Sequence, residues 1–256
     1  MKPGTTASIK RMIRPQEFPT PFCPGCGHGI LMGAILRAID ELGWSMDEML
    51  FVSGIGCGGW IPSPHYAADT LHVTHGRAVA FATGAKLYNP KLNVMVIGGD
   101  GDIASIGGNH LIHGARRNLP LTVVCANNGI YGMTGGQVTP TTPQGMRTVT
   151  TPEGNPERPF DLCQLVVAAG ASYVARYSVY HVRPLIAALK VALQHPGFAF
   201  VEALSSCPVQ YGRRNELGSP VSMLNYYKEH CVTLSRARTM TKEQLADKIL
   251  IGEFIQ

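Results

Sequence analysis

The sequence predicts an α/β fold, a mostly parallel sheet flanked by helices. It forms a single domain over residues 1–256, with an N-terminal arm and a C-terminal extension. Three observations carry that expectation. Short apolar runs end abruptly in small and polar residues, as buried parallel strands do. Segments with apolar residues at helical intervals lie between those runs. The chain of 256 residues is 45% hydrophobic and only 15% charged, long enough for a large core and suited to burial against partners.

The elements follow in order. Residues 1–20, with Thr5, Thr6, Pro15, Pro19 and several basic residues, read as an extended arm. A tight loop, Phe22-Cys23-Pro-Gly-Cys26-Gly-His28, leads into a helix over Gly29–Leu42 that stops at Gly43. Met49–Gly54 is a strand running into the glycine-rich Ile55-Gly-Cys57-Gly-Gly-Trp60, and Ala80–Leu87 is helical. Val94-Met-Val-Ile-Gly-Gly99 and Val123-Val-Cys-Ala-Asn127 are strands joined through a helix. Residues 138–160, rich in Thr, Pro and Gly, read as a long ordered loop docked on a partner. Phe160–Ala169 is helical, Tyr173–Arg176 a strand and Val182–Gln194 an amphipathic helix. The strand Phe198–Leu204 completes the sheet, before a polar stretch with a helix from about Ser222 and a terminal segment over Lys242–Gln256. There is no internal repeat.

Ligands of a parallel sheet sit in loops at the strand carboxyl ends, and two such loops carry oxygen ligands. Asp100 lies between Gly99 and Gly101, which let backbone approach a phosphate, and Asn127-Asn128 close the next strand. A carboxylate, an amide oxygen and a nearby backbone carbonyl suit a hard cation such as Mg2+ holding a diphosphate. Gly-Asp-Gly followed at this distance by Asn-Asn resembles the thiamine diphosphate motif of thiamine-dependent enzymes. That resemblance implies that Asp100, Asn128 and the carbonyl of Ile130 hold Mg2+ against the diphosphate.

Cysteine usage adds a second inorganic centre. Cys23 and Cys26 share a tight loop, and Cys57 and Cys207 each stand just past a strand; Cys125, Cys163 and Cys231 read as buried small residues, the last in a helical stretch. Four thiolates at strand-end loops allow zinc or an iron–sulfur cluster. Zinc sites usually show two short pairs, whereas here only Cys23 and Cys26 are paired, which fits a 4Fe–4S cube better. His75, in Thr74-His-Gly-Arg77, reads equally as a turn residue or a cofactor contact, and Arg77 stands where it could meet a phosphate or carboxylate.

Other classes are disfavoured. No apolar run reaches membrane-spanning length and Met1-Lys-Pro-Gly lacks a signal-peptide core, so a cytoplasmic location is expected. The net charge of +5 comes from scattered pairs such as Arg116-Arg117 and Arg213-Arg214, not a basic tract with interleaved aromatics. Nucleic acid is therefore not an expected partner, while a weak attraction to an acidic electron carrier is compatible.

Taken together, Cys-Pro-Gly-Cys-Gly-His at 23–28, Gly-Ile-Gly-Cys at 54–57, His-Gly-Arg at 75–77, Gly-Asp-Gly-Asp at 99–102, Asn-Asn-Gly-Ile-Tyr-Gly at 127–132 and Ser-Cys-Pro at 206–208 resemble the beta subunits of 2-oxoacid:ferredoxin oxidoreductases. The resemblance spans nearly the whole chain and leans to the 2-oxoglutarate branch. It implies CoA-dependent oxidative decarboxylation of a 2-oxoacid to an acyl-CoA and CO2 with ferredoxin reduction, or the reverse. It makes Cys23, Cys26, Cys57 and Cys207 the 4Fe–4S ligands, and His75 a catalytic residue near the thiazolium. It places Gly54, Ile55, Gly56, Gly58, His75, Gly76, Gly99, Asp100, Gly101, Asp102, Asn128, Ile130, Gly132, Met133 and Thr134 against thiamine diphosphate. The chain shows no candidate for the Glu that activates the aminopyrimidine, so an alpha subunit supplying it is implied, with gamma and delta subunits as further partners. Competing expectations are a non-redox thiamine decarboxylase or carboligase, which needs no four-cysteine set, a zinc-stapled structural subunit, which needs no diphosphate loop, and the same chemistry on branched-chain or aryl 2-oxoacids.

Overall fold

The structure is a computed structural model and describes residues 6–255; the arm before residue 6 lies outside them. Its strands are β1 (Met49–Ser53), β2 (Asp69–His72), β3 (Asn93–Gly99), β4 (Thr122–Asn127), β5 (Tyr173–Ser178), β6 (Ala199–Leu204), β7 (Cys231–Thr233) and β8 (Ile249–Ile255). They form one sheet in the order β2-β1-β3-β4-β6-β5-β8-β7. All neighbours are parallel except β5 and β8.

Helices cover both faces. Gly27–Glu41 and Val182–Gln194 pack with Phe51, Met95, Ile97 and Val201 on one side. Ala78–Tyr88, Gly108–Arg117 and Leu162–Ala168 pack with Val52, Val96, Val123 and Phe200 on the other. Adjacent strand residues enter opposite cores, which is why these strands read as unbroken apolar runs rather than alternating ones.

Three expectations are corrected. The sheet does not finish at β6: β8 pairs antiparallel with β5, and β7 joins β8. The apolar run of β8 is broken by Gly252, at φ 135, and its register against β5 shifts by a bulge, which hides its strand pattern. The arm is not extended. Short helical turns at Thr6–Ile9, Lys10–Met12 and Pro15–Glu17 fold it onto the core, with Met12 buried and Arg14 donating to the carbonyls of Pro64 and Ala68. Cys231 opens β7 and is half-buried, because the helix Pro220–His230 ends one residue before it. The 138–160 loop is ordered and packs on its own chain through inward-turned threonines, with Thr139, Thr141, Thr142 and Thr148 buried. The edge strand β2 gives no sequence signal, being largely exposed on both sides.

Candidate active site: a cofactor cavity beside four cysteines

Parallel register levels the carboxyl ends of β3 and β4, with Gly99 opposite Ala126. Asp100 therefore leaves the sheet beside Asn127 and Asn128. The loop after β1 folds over this edge so closely that a Cβ on Gly58 would lie 2.6 Å from the Gly99 nitrogen, a space only glycine fits. Between these loops is a cavity of roughly 160 Å³. It is lined by thirteen of the expected cofactor residues, namely Ile55, Gly56, Gly58, His75, Gly99, Asp100, Gly101, Asp102, Asn128, Ile130, Gly132, Met133 and Thr134. Gly54 and Gly76 stand behind the wall: Gly54 packs against the Asp102 carboxylate and the Gly76 N–H donates to it.

Asp100 is 1% exposed. The Thr141 hydroxyl donates to its Oδ2 at 2.6 Å, and the Asn128 N–H approaches Oδ1 at 3.4 Å. Burial raises its carboxyl above the usual range, and the Thr139 and Thr141 hydroxyls and the Asn128 N–H pull it back. All of these partners are neutral, so a buried carboxylate here is suited to a cation. Asn128 Oδ1 accepts the Ile130 N–H at 3.2 Å, which closes a local turn at the start of the second loop. After Asp100 the chain makes a π-helical turn, Gly101–Ile106, before the regular helix.

Asp102 is a hub. Its Oδ1 accepts from the backbone N–H of Gly76 at 2.7 Å and of Ile55 at 3.3 Å, and meets His75 Nδ1 at 2.7 Å. Its buried Oδ2 has no hydrogen-bond partner among the described residues. One carboxylate thus ties the loop after β1 and the His75 loop to the end of β3, and fixes one nitrogen of the His75 ring. Arg77 reaches the Ile106 carbonyl, at 3.4 Å, rather than a carboxylate.

The cysteines border this cavity. Cys57 lines it. Cys26 N–H donates to the Cys23 carbonyl, closing their loop, and the next residue, Gly27, donates to Ser206 in the segment that carries Cys207. A Cβ on Gly132 would lie 3.6 Å from Cys207 Sγ and 3.8 Å from Cys57 Sγ, so the cofactor loop lies against two of the sulfurs. Cys26 is pushed up to about 12 by burial, against the His28 N–H that its sulfur accepts, with Cys207, Cys57 and Cys23 each adding to the rise. Burial also raises Cys57, helped by Cys207 and Cys23. The four thiols therefore share one neighbourhood. Among the described residues no three His, Cys, Asp or Glu side chains close tightly enough for a single metal ion. Cys125 and Cys163 are buried in the core, as expected.

Residues 54–203 match the family model for the C-terminal thiamine pyrophosphate-binding domain of thiamine pyrophosphate enzymes. The 2-oxoglutarate synthase subunit KorB of Methanocaldococcus jannaschii is 49% identical over 245 residues, covering 96% of this chain and 90% of its own length. The chain belongs to the beta subunits of the 2-oxoacid:ferredoxin oxidoreductases. The beta subunit of the Saccharolobus solfataricus 2-oxoacid:ferredoxin oxidoreductase is 43% identical over 73% of this chain and 62% of its own. The solved 2-oxoglutarate:ferredoxin oxidoreductase from Magnetococcus marinus, with 2-oxoglutarate, coenzyme A and succinyl-CoA bound, superposes with a TM-score of 0.85. It is 34% identical, over 97% of this chain and 84% of that one. This beta subunit is thus part of a multi-subunit oxidoreductase and carries its thiamine diphosphate-binding domain. No helix among the described residues is long and apolar enough to cross a membrane.

Sequence reasoning missed what braces the site. Asn127 Nδ2 donates to Glu202 at 2.7 Å, Glu202 takes Arg176 Nε at 2.6 Å, and Arg176 reaches Asp161 at 2.6 Å. The signal was present: a Glu and an Arg inside apolar strands point to a buried pair. Two further lining residues were missed, His28 and Tyr131. A larger cavity of about 510 Å³, walled by Tyr211, Tyr226 and Tyr227, backs onto the same Asn127–Gly129 turn.

Proposed function

We propose that this chain is the thiamine diphosphate-binding and electron-receiving subunit of a 2-oxoglutarate:ferredoxin oxidoreductase, forming succinyl-CoA and CO2 or running in reverse. One observation carries the reading: Asp100, Asn128 and Ile130 share a single small cavity with Cys57. The diphosphate anchor and the first sulfur of a redox centre thus meet at one wall. Asp100, Asn128 and the Ile130 carbonyl would hold Mg2+, an oxygen set that suits a hard cation. Cys23, Cys26, Cys57 and Cys207 would hold a 4Fe–4S cluster. Their sulfurs lie close enough to influence one another, which supports one shared centre, and only Cys23 and Cys26 form a short pair, which suits a cage of several irons better than one tetrahedral zinc.

The cofactor, when bound, supplies the electron sink for loss of CO2. The chain's own residues do the rest. Asp100 and Asn128 anchor the diphosphate end through the cation, while Asp102 keeps His75 facing the cavity, where its second ring nitrogen can hydrogen-bond a substrate oxygen. The glycine-rich loop after β1 allows Cys57 to approach. Partners complete the site: an alpha subunit supplying the activating Glu, with gamma and delta subunits as further candidates, ferredoxin as electron acceptor, and coenzyme A. Exposed Phe81, Leu87, Tyr88 and Ile112 on two adjacent helices fit burial against such a subunit.

The test is anaerobic co-production with the partner subunits, followed by iron and acid-labile sulfide per beta chain, corrected for clusters in the partners. About four of each, with CoA-dependent ferredoxin reduction on 2-oxoglutarate, is the expected result. Zinc without sulfide would remove the electron-transfer half. Turnover only with branched-chain or aryl 2-oxoacids would move the substrate assignment.

A further inference from the structure

We propose that His28 is a positioning residue that couples the cofactor cavity to the four-cysteine set and so controls how fast the cluster receives electrons from substrate. The inference rests on the reading of those cysteines as cluster ligands.

His28 is 1% exposed and sits where the cysteine segments meet the cavity wall. Its backbone N–H donates to the Cys26 sulfur. Its Nδ1 lies 2.8 Å from Ser205 Oγ, in the segment that carries Cys207. That segment is held again by the Gly27 N–H on the Ser206 carbonyl. Its ring stands edge-on to Phe22, the residue before Cys23, with centroids 5.7 Å apart. The same side chain forms part of the cavity wall with Asp100, Asn128 and Cys57. His28 therefore touches the segments of three of the four cysteines, Cys26 through its backbone N–H and those of Cys23 and Cys207 through its ring, and joins them to the cavity. Hydrogen bonds and solvent exclusion around the sulfurs are what a protein uses to set a cluster's behaviour.

With cofactor and cluster bound, the two electrons released on substrate oxidation would pass one at a time from the cavity to the cluster, which ferredoxin would reoxidise after each. His28 neither gains nor loses an electron or a proton. It keeps donor and acceptor at a fixed separation and keeps water from between them.

The test uses the complete anaerobic enzyme with two variants. His28→Phe keeps the ring, the Phe22 contact and the backbone N–H but removes Nδ1, leaving the Ser205 hydroxyl unpaired. His28→Asn places an amide near the position of Nδ1 and keeps the Ser205 bond. Iron, sulfide and bound thiamine diphosphate are measured first, then the rate of cluster bleaching after mixing with 2-oxoglutarate and, separately, with dithionite. Expected for His28→Phe are unchanged iron and cofactor, about tenfold slower bleaching by 2-oxoglutarate, the scale of one lost buried hydrogen bond, and an unchanged rate with dithionite. His28→Asn should recover most of the loss. Wild-type bleaching by 2-oxoglutarate in His28→Phe would overturn the proposal. Equal slowing with both reductants, or iron lost from both variants, would reduce His28 to a prop for the loop and also overturn it. Wild-type enzyme lacking iron and sulfide would sink the cluster reading itself, and the coupling role with it, before any variant is compared.

Discussion

The loops carrying Asp100 and Asn128 and the segments carrying the four cysteines meet at the same sheet edge, yet the chain completes them to different degrees. On the oxygen side almost every polar atom has a partner: Thr141 holds Asp100, Ile130 holds Asn128, and Glu202 holds Asn127. On the sulfur side the chain supplies few donors, and burial together with mutual repulsion drives Cys26 and Cys57 toward the protonated form. A thiol must lose its proton to become a metal ligand, so on the proposed reading an inorganic centre would complete this half. The diphosphate side is preorganised by the fold. Burial raises Asp100 as well, so the two sides differ in how many hydrogen bonds hold the ligand group and not in the direction of its shift.

The strongest way to break that comparison is a crossed pair of deletions. Asp100→Ala should abolish retention of thiamine diphosphate while iron and sulfide stay at wild-type levels. Cys57→Ala should lose the cluster while thiamine diphosphate remains, since no oxygen ligand is altered. Cofactor content after gel filtration of the assembled enzyme reads both. Full cofactor occupancy in Asp100→Ala would refute the metal assignment, and loss of both centres in either variant would show the two halves to be one cooperative unit.

A smaller effect probes the bracing under the oxygen side. Arg176→Ala strands the Glu202 carboxylate, which is 2% exposed. Removing one partner of a buried pair costs about 3–5 kcal/mol. The urea midpoint of the assembled enzyme should fall accordingly, and thiamine diphosphate should bind more weakly because the Glu202 carboxylate that holds Asn127 loses its own partner. Weakened iron binding with unchanged thiamine diphosphate affinity would reverse the assignment of this network to the oxygen side.

The two halves were also unequally legible in the sequence. Asp100 and Asn128 sit at the ends of consecutive strands, so a βαβ pattern and a fixed spacing were enough to bring them together. Cys23 and Cys26 announced themselves by adjacency, but Cys57 and Cys207 meet them only because β1 and β6 end at the same edge, which strand order decides and local pattern does not. Motif resemblance supplied that link. Thr141 was hidden for a related reason. It lies in a polar loop that composition assigns to a partner surface, whereas its hydroxyl turns inward to a carboxylate 41 residues away. The π-helical turn at Gly101–Ile106 and the bulged β8 break the periodicities on which such reading depends.

Thr141 provides the finest test of the comparison, because it asks whether the oxygen side needs all of its internal bonds. Thr141→Val keeps the shape of the side chain and removes the donor to Asp100 Oδ2. Thr139 still favours the ionised carboxylate, so the loss should be partial, about 1–1.5 kcal/mol or roughly tenfold in Mg2+ affinity. Its sign with pH is fixed. The hydroxyl stabilises the charged form of Asp100, so removing it raises an already raised carboxyl further, and Mg2+, which needs the charged form, must then compete with the proton to a higher pH. The acid limb of Mg2+-dependent thiamine diphosphate binding should therefore move upward in Thr141→Val and return in Thr141→Ser. A uniform drop in affinity at every pH, not rescued by serine, would assign Thr141 to loop packing instead of to the carboxylate.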